Sequence, residues 1–250
     1  MTARLTSVND HEISGECRTA QAFQLMHELQ KSRRFASDAS HELRTAVAGL
    51  RAELEEAGLH PDETDLGDLL AKALRDVDRL DAIITDLRVL AEMESGPPTL
   101  SRRIDLAALA RDEIARRGDP IAVRFTAEPG VRVRAVPIRI ARVLTNLLDN
   151  AQRHARHLVE VRVRRDGDDA ELSVTDDGEG IDEAERERVF QRFTRLTAGR
   201  RLDGTGSGLG LAIARDIAHA HRGSLGVGES ETGGARFVLR IPLAKPAESP

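Results

Sequence analysis

Four clusters of residues in this sequence have types and spacings that suit chemistry on phosphates and a purine. The first is Ser40-His41-Glu42-Leu43-Arg44-Thr45. On a helix, His41 lies about 200° around from both Ala39 and Leu43, so an apolar face through those two leaves the imidazole in solvent. A solvent-facing imidazole can act as a nucleophile. Glu42 can accept the proton of the far ring nitrogen and so raise the nucleophilicity of the attacking one. Thr45 is one turn on and shares the face of His41, where its hydroxyl can hold a water. A His-Glu pair alone is ordinary helix surface, so the other clusters decide its meaning.

The second cluster is Asn146-Leu147-Leu148-Asp149-Asn150-Ala151-Gln152-Arg153-His154. Asn146, Asn150 and His154 recur every turn, with Arg153 adjacent, beside an apolar stripe of Val143, Leu144, Leu147, Leu148 and Ala151. Asparagine offers a neutral carbonyl oxygen that can join a magnesium shell already filled by phosphates and water. The third is Val174-Thr175-Asp176-Asp177-Gly178-Glu179-Gly180-Ile181. A carboxylate at a strand end can accept from an exocyclic amine, which selects adenine over guanine, and the glycines admit backbone close to a base. Asp-Asp-Gly is also plain turn composition. The fourth is Gly204-Thr205-Gly206-Ser207-Gly208-Leu209-Gly210-Leu211, ahead of a helix, where freed N–H groups and the helix dipole favour phosphate. No Gly-Lys-Ser/Thr follows, so it is not a Walker loop, and no strand directly precedes it. Phe190 and Phe193, with Arg192 and Arg195 facing phosphates, can anchor a lid before it.

These clusters need a scaffold of two textures. From about Gln21 to Glu94 the pattern is helical. Phe35, Ala39, Leu43, Val47, Leu50, Leu54 and Ala57 form one seam, and Leu66, Leu70, Ala73, Val77, Leu80, Ile84, Leu87 and Ala91 form a second. Gly58 and Pro61 separate them, and Asp62 or Thr64 can cap the second helix. A hairpin with one seam on each helix cannot enclose both, so the pattern predicts a homodimer built on a four-helix bundle. Glu94-Ser95-Gly96-Pro97-Pro98 reads as a linker.

Beyond the linker the period shortens. Val131 and Val133 alternate with arginines, and Pro137 opens a helix to about Ala155. Val159, Val161 and Val163 pair across an Asp166-Gly167 turn with Leu172 and Val174. A helix near Asp182 to Phe193, another from about Gly208 to His221, and a closing hairpin (Leu225 and Val227 with Phe237, Leu239 and Ile241) complete an α+β domain with helices on one sheet face. Charges of both signs are interspersed at a net −5, which argues against a nucleic-acid-binding protein. Cys17 is the only cysteine, which excludes an intramolecular disulfide and fits a reducing compartment. No apolar run approaches the ~18 residues of a membrane span.

In order and spacing, the clusters resemble those of the sensor histidine kinases of two-component signalling: a His-Glu-Leu-Arg-Thr phospho-acceptor box, then asparagine, Asp-x-Gly-x-Gly, phenylalanine and Gly-x-Gly-x-Gly boxes. Each box alone is weak, and the five together cover Phe35 to about Leu243. The resemblance implies residues 31–95 as a dimerisation and histidine-phosphotransfer hairpin and residues 96–250 as an ATP-binding α/β sandwich of the Bergerat type. Residues 1–30 then read as a signalling helix, a remnant of a HAMP linker. It further implies His41 as phospho-acceptor, Glu42 as its base and Thr45 as a phosphatase position. Asn146, Asn150, Arg153 and His154 fall to ATP, with Asn150 the magnesium ligand. Asp176 becomes the adenine-binding aspartate, beside Gly178, Gly180 and Ile181. Phe193, Arg195, Thr205, Gly206, Ser207, Gly208, Leu209 and Gly210 line the phosphate side, with an ATP lid from about Thr194 to Ser207. The implied activity is transfer from Mg-ATP to His41 and onward to an aspartate on a response regulator receiver domain, in the cytoplasm.

Two departures stand out. The proline usual after Thr45 is Ala46, which removes a helix kink site and bears on the balance of kinase and phosphatase activities. The expectation at the N-terminus is either a longer protein that carries a first HAMP helix, a sensor or a membrane span, or a signal received from a cytoplasmic partner. Two other readings stay open: an ATPase of the wider Bergerat group, against which the histidine helix argues, and a nucleotide-binding scaffold or phosphatase without kinase activity.

Overall fold

The computed structural model describes residues 39–41, 43–61, 65–94, 101–194 and 208–245. The segment 1–30, Glu42, the linker at 95–98 and Arg195, Thr205, Gly206 and Ser207 lie outside them. The chain divides into two compact units, residues 1–76 and 77–250.

In the first unit, helix α1 covers 39–59 apart from position 42. Helix α2, Leu66–Glu94, begins there and runs into the second unit. Asp65 caps it, its Oδ1 accepting from the amides of Gly67 (2.8 Å) and Asp68 (3.1 Å), while Asp62 and Thr64 lie outside the described residues. The carboxylate thus satisfies donors that the first helical turn leaves unpaired. Position 46 carries a buried alanine, and residues 43–59 are helical throughout.

The second unit contains an α/β sandwich. Strands β1 (Arg102–Asp105) and β3 (Arg132–Ala135) form a small antiparallel pair. The main sheet has the order β2-β4-β5-β7-β6, from Val123–Ala127, Val159–Asp166, Asp169–Asp176, Ala235–Pro242 and Ser224–Glu229. Only β2 and β4 run parallel. Helices α3 (Leu106–Ala115), α4 (Pro137–His154) and α5 (Gly210–Ala220) accompany the sheet, with α4 packed on β5 and α5 on β6.

Strict alternation explains the core. Val159, Val161 and Val163 of β4, Leu172 and Val174 of β5, Phe237 and Leu239 of β7, and Leu144, Leu147 and Leu148 of α4 are all essentially without solvent exposure. The other face of β5 is polar. There Glu171, its side chain fully buried, accepts from Arg164 (2.8 Å), Arg236 (2.9 Å) and Arg240 (2.7 Å). Burial would raise its pKa, but the three guanidiniums outweigh that and hold it below the ordinary value.

Sequence and structure differ in two places. The helix expected from Asp182 to Phe193 is two short 3-10 turns, Glu183–Glu185 and Arg188–Phe190. The second turn drives Val189 and Phe190 into the core, where the Phe190 ring meets Phe237 edge-on at 6.2 Å. Continuous helix gives way to that packing. The segment 101–130, to which the pattern assigned no elements, supplies β1, α3 and β2.

Candidate functional site

His41 stands exposed on α1, with Ala39 buried and Leu43 half-buried, the arrangement that the spacing predicts. Thr45 Oγ1 donates to the His41 carbonyl at 2.9 Å. Its proton is thereby committed, and its lone pairs remain to accept from a water.

The other clusters gather around α4 and the end of β5. Pro137 starts α4 at a position where a missing N–H costs nothing, and the helix runs 18 residues to His154. Asn146 is buried, and its amide donates to the Gly210 carbonyl at 2.8 Å, which ties α4 to the start of α5. Asn150, one turn on, is half-buried, and its side chain makes no hydrogen bond among the described residues. His154 is half-buried. Burial and the neighbouring Arg153 lower its pKa, against the pull of Asp176 and Glu179.

Two adjacent acids at the end of β5 have opposite fates. Asp177 accepts from the amides of Arg156 (2.8 Å), His157 (3.1 Å) and Leu158 (3.3 Å), closing the chain that leaves α4. Partial burial works to raise its pKa, but those N–H groups pull it down to about 2. Asp176 is 2% exposed, and its Oδ1 accepts from Gly178 (2.9 Å) and Ala235 (3.1 Å). Its Oδ2 is buried without a partner. Burial raises the Asp176 pKa in spite of both amides. An unpaired buried carboxylate oxygen is unfavourable unless something else meets it. That oxygen has the lone pairs to accept from an amine.

The surrounding glycines are set by close approach. A Cβ on Gly178 would strike the carbonyl oxygen of His154, and one on Gly180, at φ +74°, would lie 2.6 Å from the Gly233 oxygen. Gly208, at φ +70°, lies against Phe193, whose own φ is +60°. The Phe193 amide donates to the Gly208 carbonyl at 2.8 Å. Leu209 is fully buried, and Gly210 opens α5 beside Asn146. Ile181 is half-buried and accepts at its carbonyl from Arg186 (3.3 Å). Arg192, read from the sequence as facing phosphates, pairs with Asp216 at 3.0 Å.

Sequence reasoning missed Ala235 and the turn before it. Its one sequence signal is the Gly233-Gly234 pair: a Cβ on Gly234 would strike the Asp176 carbonyl. Among the described residues no group of His, Cys, Asp and Glu side chains converges as a metal site.

This α/β fold is that of a histidine kinase ATP-binding domain, and residues 135–245 match the family of histidine kinase-, DNA gyrase B- and HSP90-like ATPases. Residues 31–96 match the His Kinase A phospho-acceptor domain. The signal transduction histidine-protein kinase AfsQ2 of Streptomyces coelicolor is 36% identical over 226 residues, covering 85% of this chain and 42% of the relative. The histidine-protein kinase/phosphatase MprB of a Mycobacterium species is 35% identical over 247 residues, 90% of this chain and 47% of the relative. A solved structure of the mycobacterial sensor histidine kinase MprB superposes with a TM-score of 0.50 at 30% identity, covering 58% of this chain and 98% of that one. The chain belongs to the sensor histidine kinases of two-component signalling. It spans less than half the length of the two curated relatives.

Proposed function

We propose that this chain is the catalytic part of a sensor kinase that phosphorylates His41 from Mg-ATP and passes the phosphoryl group to an aspartate of a response regulator. The observation that carries the reading is Asp176 Oδ2, buried and unpaired at the one carboxylate whose sequence context suits adenine. There Asp176 accepts from the exocyclic amine, with Gly178, Gly180 and Ile181 against the base and His154 and Arg153 beside it. Asn146, Phe193, Gly208, Leu209 and Gly210 form the phosphate side, and the sequence motif assigns Arg195, Thr205, Gly206 and Ser207 to the same role. Magnesium, when bound, neutralises charge on the phosphates, and the free Asn150 carbonyl oxygen suits its shell.

The exposed His41 imidazole forms a nitrogen–phosphorus bond to the γ-phosphorus as the bond to the β,γ-bridging oxygen breaks and ADP leaves. Glu42 takes the proton of the other ring nitrogen. In the reverse role, the Thr45 oxygen orients a water for phosphatase activity toward the regulator. MprB carries both activities in its name. The exposed seam residues Val47, Leu54, Leu66, Leu70, Val77 and Ile84 support a homodimer. No helix among the described residues is long and apolar enough to cross a membrane, which accords with a cytoplasmic portion.

The test is incubation with γ-labelled ATP and magnesium, comparing wild type with His41→Ala. The expected label is acid-labile, base-stable and confined to wild type. Equal label on both would move the acceptor, and absence of label despite ATP binding would reduce the chain to a binding module.

A further inference from the structure

Asp176 serves a ligand only if its carboxylate plane is fixed, because rotation would turn Oδ2 away. Two amides hold Oδ1: Gly178, from the same loop, and Ala235, the first residue of β7 and 59 positions along the chain. The place of Ala235 is set by the turn 230–234, and that turn is organised around one hydroxyl.

Ser230 is 7% exposed. Its Oγ donates to the Asp176 carbonyl (3.2 Å), accepts from the Gly234 amide (2.8 Å) and lies 2.9 Å from Thr232 Oγ1. A serine hydroxyl has one proton and two lone pairs. With the proton given to Asp176, Thr232 must be the donor in the third bond, and the hydroxyl is saturated. The backbone closes the same turn through Ser230 N–H to Gly234 O (2.8 Å) and Gly233 N–H to Ser230 O (3.1 Å). The residue immediately before Ala235 is therefore bound to the same hydroxyl that grips the backbone of Asp176.

Resting on the adenine reading of Asp176, we infer that Ser230, backed by Thr232, is a positioning residue for nucleotide recognition: it sets the Ala235 amide that aims the free oxygen of Asp176. The hydroxyl touches no reacting atom. Its effect falls on the base and leaves the phosphate side, built by α4 and α5, alone.

Calorimetric titration of the whole chain with Mg-ATP and with inorganic triphosphate tests this. Ser230→Ala is expected to bind ATP about five- to tenfold more weakly, with triphosphate affinity unchanged and Ser230→Thr restoring ATP binding. In turnover, KM for ATP rises at constant kcat. A variant with a lowered melting temperature but wild-type ATP affinity would overturn the inference, leaving Ser230 a stability residue. If Ser230→Ala does not fold, Thr232→Val, at an exposed position, serves instead. A loss of about two- to threefold for ATP alone supports the inference, and unchanged affinity overturns it. Failure of wild type to bind ATP would instead overturn the adenine reading itself.

Discussion

The helices that carry His41 and the domain that carries Asp176 solve the burial problem differently. In the α/β domain Val161, Leu147, Leu172, Ile213 and Phe237 are all fully enclosed by their own chain. In the helices, Val47, Leu54, Leu66, Leu70, Val77 and Ile84 keep 43–66% of their surface in solvent. Apolar surface buried in contact stabilises by roughly 25 cal/mol per Å², so the helical region has a large driving force still unspent. The α/β domain closes its apolar core within one chain, whereas His41 stands on helices whose exposed apolar seams suit a second copy.

The two parts should respond oppositely to the same kind of damage. Leu70→Glu, placed in the exposed seam, is expected to weaken dimerisation by more than about 100-fold, because two apolar side chains are lost per dimer at about 1.5–3 kcal/mol each. ATP affinity should be untouched. Light scattering and calorimetry read the two effects, and a wild-type monomer at micromolar concentration would remove the basis of the contrast. Phe237→Ala, in the enclosed core, should cost about 3–5 kcal/mol of unfolding stability in denaturant melts, as a large cavity would. A cost below about 1 kcal/mol would mean that the core is not closed as described.

A smaller effect sharpens the comparison through pH. His221 is buried, its Nε2 accepting from the Val136 amide (3.1 Å) and its Nδ1 donating to the Ile217 carbonyl (2.8 Å). It thus fastens the end of α5 to the start of α4. Burial lowers its pKa, as does Arg139, outweighing the Ile217 carbonyl. A depressed histidine contributes stability that is whole above the unfolded value of 6.5 and is lost as pH falls through it toward the folded pKa. The α/β domain should therefore melt progressively lower below about pH 6.5, and His221→Gln should flatten that slope. An unchanged slope in the variant would assign the pH dependence elsewhere.

Much of the architecture was legible because the sequence spells it locally. Val159, Val161 and Val163 alternate cleanly, and Pro137 with the Val143–Leu147 stripe announces α4. Strand β2 was not legible: it is an edge strand whose Val123, Arg124, Phe125, Thr126 and Ala127 are all at least partly exposed, so no buried alternation marks it. Composition misled at Glu183–Phe190, where helix-favouring residues yield to the burial of Val189 and Phe190. At the site, the glycine spacing pointed to Asp176. What makes that residue distinctive, an oxygen left over after Gly178 and Ala235 are satisfied, depends on a contact between distant parts of the chain. The seams were legible from period alone, and their exposure is what a single copy shows.

Asp176 holds an unpaired carboxylate oxygen in a buried position, at a cost to the stability of the α/β domain. Because burial raises its pKa above the ordinary 3.8, its ionised form weakens the fold at neutral pH, and that weakening fades as pH falls through the raised value. Asp176→Asn retains an oxygen for the two amides and removes the buried charge. Mg-ATP titration and thermal melting of the nucleotide-free protein, run side by side on wild type and this variant, should move in opposite directions. ATP affinity is predicted to fall by about 100-fold, as for loss of a charged hydrogen bond, while the melting temperature rises. Unchanged ATP affinity, or a melting temperature that falls with binding intact, would contradict the account.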